Sequence, residues 1–391
     1  MNSIIDDITL AKAGEERIRW FREQMPLMAE LRRQFAEERA FEGKKIGICL
    51  HVEPKTAVWL DCFLDGGAEH ITIVGNLGTT KKDTAAFLAT NPKITVYAKE
   101  NDTLEDHERY AEMVMEEKPD LFLDNGSNLI RTYFKKERDW KPFGANEETR
   151  TGRLLIDDAG IKPTFPIIVI DDSPLKRLLE NAIGVGQSVV DGFMRATSTL
   201  LGGKKVLEIG YGYVGSGIAN KFRAMGSNTM VYDIDPVYLL KAKADGHTVD
   251  MDLEKLIPQA DVIITATGRF HIIRKEHISL FKDGVMLCNA GHFGFEIDSE
   301  DLRKEADSAE MLDKDVEMFR FKDKRVFLLG NASPINLSVG TGNPIPIMDL
   351  GLGLQACCAA RHLKKDSGLP IEIQPVPRDI DVMISEKMLA L

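Results

Sequence analysis

LEIGYGYVGSGIAN, Leu207 to Asn220, carries four glycines, of which Gly210, Gly212 and Gly215 stand in the order G-x-G-x-x-G. The apolar run KVLEI precedes the first of these three and the helical pattern SGIANKFRAMG follows the last. A strand that turns sharply into a helix has this order. The first two glycines allow the tight turn and the close approach of backbone to a pyrophosphate, and the helix N-terminus offers N–H groups and a favourable dipole to the phosphates. Asp233 ends the next apolar run, 23 positions after Gly210. A carboxylate there accepts hydrogen bonds from ribose hydroxyls and repels the extra phosphate of NADP. The stretch therefore predicts a Rossmann unit that binds NAD, with Tyr213 and Val214 of the loop beside the cofactor. The ordinary alternative is a glycine-rich strand–helix turn without a ligand, and the acid at the right distance weighs against it.

Outward from this turn, short apolar runs alternate with longer amphipathic ones. On the C-terminal side lie TMVYDID, DVIITAT, GVMLCNAG and RVFLLG; on the N-terminal side lie KIGICL (Lys45–Leu50), HITIVG (His70–Gly75), ITVYA (Ile94–Ala98), DLFLD (Asp120–Asp124) and PIIVID (Pro166–Asp171). Alternating strand and helix patterns imply parallel sheets covered by helices on both faces. The expected fold class is α/β, with two doubly wound parallel-sheet domains, the second a Rossmann NAD-binding domain. The first forty residues read as helix interrupted near Pro26. The run LENAIGVGQSVVDGFMRATSTLLGGK reads as a mostly helical passage into the second domain, and GTGNPIPIMDLGLGLQACCAARHLKK as a helix that returns to the first. The expected division is residues 1–183, completed by 343–368, for the substrate domain, 184–342 for the NAD domain, and 369–391 for a short C-terminal tail.

Composition sets bounds on function. The 391 residues are 43% hydrophobic and 28% charged, enough for two full cores. A net charge of −11 argues against nucleic acid and anionic membrane surfaces as partners. The five cysteines, Cys49, Cys62, Cys288, Cys357 and Cys358, fit neither a zinc site nor a disulfide framework and read as reduced core thiols. MNSIIDDITL lacks the basic and apolar regions of a signal peptide, and there is no run of about 18 apolar residues. A cytoplasmic protein with no metal site is expected.

Ligands of open α/β sheets collect at the carboxyl ends of the strands. There the sequence places His51, Asp124 and Asn125, Asp171 and Asp172, Thr265 and Thr267, and Asn289 to Phe293. Any one of these is ordinary turn chemistry, but together they point to a ligand cleft. Lys176 and Glu180, four apart in SPLKRLLENAIG, share a helix face. They read either as a surface ion pair or, with the lysine desolvated in a cleft, as a base and its partner.

The stretches CLHVEPKTAV, LDNGSNL, EETRTG, NAIGVGQSVVDGFMRATSTLLGGKKVLEIGYGYVGSGIA, DIDP, TATG, CNAGHFGFEID and NLSVGTGNP resemble, in order and over nearly the whole chain, the S-adenosylhomocysteine hydrolase (adenosylhomocysteinase) family. The resemblance implies an enzyme with resident NAD. The ribose 3′-hydroxyl of a thioether nucleoside is oxidised, the C4′ proton leaves, the C5′ group is eliminated, water adds, and the redox change is reversed. It further implies roles for particular residues. Glu148 grips the ribose hydroxyls, and Thr149 and Thr151 of the same motif lie by the cofactor. Lys176 and Asn181 stand at the oxidised carbon and cofactor. His292 lies near the 3′-oxygen, His51 near the leaving group, and Thr265, Thr267, Asn289 and Asn336 belong to the NAD site. The family assembles as tetramers built from dimers, so a homo-oligomer is expected.

The departures from the family pattern lie in the same places. Asn125 stands where the family has the second aspartate of a pair, and Glu180 where it has an aspartate. Glu53 and Lys55 replace an adenine-contacting threonine and glutamate, and Asn343 replaces the histidine of GHP. The Lys/Tyr tail that reaches a neighbouring subunit's NAD has no counterpart after EKMLAL. Three readings stay open at this point: hydrolysis of an S-adenosylhomocysteine-like thioether, NAD-dependent 3′-oxidation of another nucleoside or sugar ending in epimerisation or dehydrogenation, and a non-catalytic NAD-binding relative.

Overall fold

The computed structural model describes residues 2–291 and 294–391. The chain folds into two compact units. The first comprises residues 1–176 and 345–391, the second residues 177–344.

The first unit holds strands β1 (Ile4–Ile5), β2 (Lys45–Leu50), β3 (His70–Gly75), β4 (Ile94–Ala98), β5 (Leu121–Asp124), β6 (Gly144–Glu147) and β7 (Ile167–Val169). With a last strand from the chain's end, Ile373–Pro375, they form one sheet in the order β1-β4-β3-β2-β5-β6-β7 and then Ile373–Pro375, every pair parallel. After the two-residue edge strand β1, the chain enters the sheet near its centre at β2, builds β3 and β4 to one side and β5 to β7 to the other. The strand order thus reverses between β2 and β5, where an open α/β sheet offers its ligand crevice. Five of the six residues of β2 are buried, which is why this strand is a continuous apolar run instead of an alternating one.

Residues 369–391 are no tail. Ile373–Pro375 pairs with β7 and Arg378–Ala390 is a helix of this unit. The helix Ile345–Leu363 returns to the first unit, and its buried Asp349 accepts the N–H groups of Leu27 (2.9 Å) and Met28 (2.8 Å), capping the helix Pro26–Glu38. Strand β6 reads GANE and carries no apolar pattern, so sequence periodicity missed it. It lies between β5 and β7, wholly buried. Its Asn146 donates to the Gln355 carbonyl at 3.0 Å and lies 3.1 Å from His362 Nε2.

The second unit holds β8 (Lys205–Ile209), β9 (Asn228–Tyr232), β10 (Thr248–Val249), β11 (Val262–Thr265), β12 (Val285–Asn289), β13 (Ser308–Asp313), β14 (Val316–Phe321) and β15 (Lys324–Leu329), in the order β10-β9-β8-β11-β12-β15-β14-β13. The first six in that order are parallel, and β14 runs antiparallel to β15 and β13. The order reverses between β8 and β11, so this unit repeats the plan of the first. Its sheet is apolar on both faces. Leu207, Ile263 and Leu287 enter one core cluster, and Val206, Ile264 and Cys288 another. Burying each large side chain contributes about 1.5–3 kcal/mol.

Candidate functional site

In the first unit the residues at the carboxyl ends of β2, β3, β5 and β6 form one hydrogen-bonded group. Lys176 Nζ donates to Glu148 Oε1 at 3.0 Å. Asn125 Nδ2 donates to Glu148 Oε2 at 2.6 Å, and Asn125 Oδ1 accepts from Asn76 Nδ2 at 2.7 Å. Lys176, Glu148 and Asn125 are 5%, 3% and 4% exposed, so this is a desolvated ion pair with an amide on its other side. Such a pair is weak support for stability but a common mark of a working site. His51 follows β2. Its carbonyl accepts the Thr56 hydroxyl at 2.7 Å, and its Nδ1 lies 2.9 Å from Thr79 Oγ1.

Burial shapes the charges here. It pushes Glu148 up, but Lys176, Asn125 and His51 together pull it further down, so the carboxyl stays below its ordinary range. Burial holds His51 at about 4; Glu148 opposes this, while Lys176, Lys55 and Lys81 add to it. Asp124 is pushed up to about 7 by burial, against the N–H bonds it accepts from the Asn125–Ile130 turn.

Asp124 and Glu147 build the loop that carries Asn125. Asp124 accepts the N–H groups of Asn125 (3.0 Å), Asn128 (3.0 Å) and Ile130 (2.8 Å), and Glu147 those of Gly126 (3.1 Å), Ser127 (2.7 Å) and Thr149 (2.8 Å). Thr149 caps the helix Arg150–Asp158: its hydroxyl accepts the Gly152 N–H at 2.9 Å and donates to Glu147 at 2.8 Å, while Thr151 is buried in that helix's first turn. Glu53 caps the helix Pro54–Asp65 through the Lys55 N–H and pairs with Lys55 Nζ at 2.9 Å, both side chains buried. The Lys55 ammonium also lies 5.3 Å from the Phe21 ring centroid. Sequence reasoning missed Asn76, Thr79 and Glu147 as members of this group. The one available signal was their position after strand ends.

The segment Lys176–Gly184 was expected as an ordinary helix and is a π-helix, a rare form that recurs at functional sites. Lys176 closes the first unit; Glu180 and Asn181 open the second. There Glu180 is buried and accepts from Asn343 Nδ2 at 3.5 Å, Asn343 Oδ1 accepts from Ser188 Oγ at 2.9 Å, and Ser188 Oγ accepts from Asn336 Nδ2 at 3.3 Å. Asn181 is half-buried.

The glycine turn has the expected build. Gly210 takes φ +100°, and a Cβ on Gly215 would sit 1.8 Å from the Gly210 carbonyl oxygen, so neither position admits a side chain. A Cβ on Gly212 would meet nothing within 4 Å. That glycine is not required by packing among the described residues, and the open space beside it would admit a phosphate. Gly212 starts the helix Tyr213–Ala224 with no side-chain cap. Asp233 accepts the Tyr211 N–H (2.7 Å) on one oxygen and the Asp235 N–H (2.9 Å) on the other, with lone pairs left for ribose hydroxyls. Tyr213 is exposed, with the Arg177 guanidinium 5.8 Å from its ring centroid, and Val214 packs on the core. Thr265 Oγ1 donates to Asn289 Oδ1 at 3.2 Å, Asn289 Nδ2 to the Ala332 carbonyl at 2.8 Å, and Thr267 Oγ1 to Glu296 at 2.8 Å. His292 lies outside the described residues.

A doubly wound sheet with an open glycine turn and an acid at the next strand's end fits a dinucleotide cofactor, and this defines the second unit as a Rossmann domain. Residues 181–342 match the NAD binding domain of S-adenosyl-L-homocysteine hydrolase, and residues 2–207 match S-adenosyl-L-homocysteine hydrolase itself. An S-inosyl-L-homocysteine hydrolase of Methanopyrus kandleri is 38% identical over 390 residues, 98% of this chain and 91% of that protein. Adenosylhomocysteinases of Thermococcus kodakarensis and Aquifex aeolicus are 37% and 35% identical, over 99% and 97% of this chain and 92% of each relative. The chain belongs to the S-adenosyl-L-homocysteine hydrolase family, and its second unit is an NAD-binding domain. Among the described residues no helix is long and apolar enough to cross a membrane.

Proposed function

We propose that the protein hydrolyses the thioether of an S-nucleosyl-L-homocysteine in a redox-neutral reaction. The observation that carries this reading is the buried Lys176–Glu148–Asn125 group at the switch point of the first sheet. NAD, when bound, supplies the reversible oxidation of the ribose 3′-hydroxyl; Gly210, Gly212, Gly215, Asp233, Thr265, Asn289 and Asn336 would hold it. Glu148, kept ionised by its neighbours, grips the vicinal hydroxyls. Lys176 takes and returns the proton of the 3′-hydroxyl: it meets the substrate as the neutral amine and becomes the ammonium of the Glu148 pair when it holds that proton, in a setting dry enough for the proton to stay on the pair. Asn125 takes no proton; it fixes the Glu148 carboxylate. His51, neutral because it is buried, is the base and acid at the C5′ side, where a proton reaches the leaving sulfur and is drawn from water.

The base is where the relatives' names divide, between adenosyl and inosyl. The Glu53–Lys55 pair sets an acceptor beside a donor. Adenine offers N6–H and an N1 acceptor, and hypoxanthine N1–H and an O6 acceptor, so both purine edges meet it. The test is direct: NAD-loaded protein is given S-adenosyl- and S-inosyl-L-homocysteine with a thiol reagent. Thiol release without net NADH supports the reading for the base that turns over. Steady NADH accumulation, or no thiol from either, overturns it.

We also propose a cytoplasmic homo-oligomer. All five cysteines are buried free thiols, as a reducing compartment keeps them, and Ile234, Val237 and Leu240 are apolar surface that assembly would cover. Light scattering tests the assembly.

A further inference from the structure

We infer that Thr79 fixes the ring proton of His51 on Nδ1, so that Nε2 is the nitrogen through which His51 moves protons. This rests on the reading of His51 just given and deepens it. A neutral imidazole carries one proton, and its location decides which nitrogen is basic.

A hydroxyl has one hydrogen and two lone pairs. Thr79 Oγ1 lies 2.8 Å from the Asn76 carbonyl oxygen and 2.9 Å from His51 Nδ1. The carbonyl only accepts. If the hydroxyl hydrogen turned to Nδ1, two oxygens would face each other at 2.8 Å with no hydrogen between them. The hydrogen therefore goes to the carbonyl, and Nδ1 must bring its own and donate it to Oγ1.

The loop is built to hold this arrangement. The Asn76 N–H donates to the Leu50 carbonyl at 3.2 Å and the Lys81 N–H to the Val52 carbonyl at 2.8 Å, so the loop is stitched to the chain on both sides of His51. Between them Gly78 takes φ +68°, a conformation that favours glycine, and Thr79 is 3% exposed. Thr56 holds the His51 carbonyl at 2.7 Å. Burial keeps the ring neutral, so the tautomer and not the charge is what the protein controls. Asn125, bonded through its amide to Glu148 and Asn76, brings no proton acceptor of its own to the reaction. Thr79 is thus a positioning residue.

The experiment uses the full chain loaded with NAD and labelled with 15N-histidine. The His51 signals are those lost in His51→Asn. In the unchanged protein they should report a protonated Nδ1 and an unprotonated Nε2. Thr79→Val, which keeps the shape and removes the acceptor, should shift the proton toward Nε2 and lower kcat on the order of 100-fold. KM and bound NAD should change little, and Thr79→Ser should restore tautomer and turnover. A protonated Nε2 in the unchanged protein, or a tautomer unmoved by Thr79→Val, overturns the inference. Full turnover in His51→Asn overturns the reading of His51 beneath it.

Discussion

The two units share a plan and differ in material. Each is a doubly wound sheet whose strand order reverses beside its first long strand, β2 in one and β8 in the other. At that reversal the second unit presents backbone: a glycine turn, helix N–H groups and one acid. The first presents side chains: a lysine, a glutamate, an amide and a histidine, nearly all buried. A site made of backbone needs local geometry, and glycines at fixed spacing write it into a dozen residues. A site made of buried charge needs partners from several strands, and each must be satisfied by another. One material suits a cofactor held by its phosphates, the other a substrate whose protons must move.

Removing the charge should break one site and spare the other. Lys176→Ala should lower turnover by at least about 100-fold with bound NAD retained, read by thiol release beside cofactor content. Turnover that survives would strip Lys176 of its role. The reverse break is Gly215→Ala. Its Cβ would overlap the Gly210 carbonyl, forcing a backbone shift of about 1–3 kcal/mol. NAD binding, followed by fluorescence titration, should weaken by roughly 5- to 150-fold, while the first unit keeps its near-ultraviolet signature. Unchanged affinity would mean that the turn does not hold the cofactor.

A smaller effect separates the units by pH. His107, buried in the first unit with its Nε2 3.6 Å from Cys49 Sγ, is held at about 4 by burial, below the ordinary 6.5. A histidine whose folded value is lowered contributes stability above pH 6.5 and loses it as pH falls toward 4. The stability gap between the unchanged protein and His107→Gln should narrow by about 1.4 kcal/mol per pH unit on acidification, measured by urea unfolding. A gap independent of pH would contradict a neutral buried ring. The mildest change is Asp233→Ala. It should weaken NAD severalfold and narrow the preference over NADP, because one ribose contact and one repulsion go together; an unchanged NAD/NADP ratio would rule out that role.

The same contrast explains what the sequence could tell. β2, β3 and β4 are continuous apolar runs and were legible, as was the glycine turn, because each is specified by neighbours in the chain. β6 was not. GANE is held in the sheet by Asn146, whose partners Gln355 and His362 are more than 200 residues away. Lys176 was legible as a candidate, but its bond to Glu148 spans 28 residues and no spacing rule produces it. The π-helical turn escaped because helical periodicity was read at four residues and not five. Thr79 escaped because its role depends on a single hydrogen.

The return of the chain to the first unit also orders events in time. The second unit is continuous from Arg177 to Pro344, whereas the first lacks its final strand, its last helix and the Asp349 cap until residues 345–391 exist. On the ribosome the nascent chain must therefore carry an open β7 edge while the NAD-binding half is made. The later half has its full sequence first, and the earlier half is sealed last.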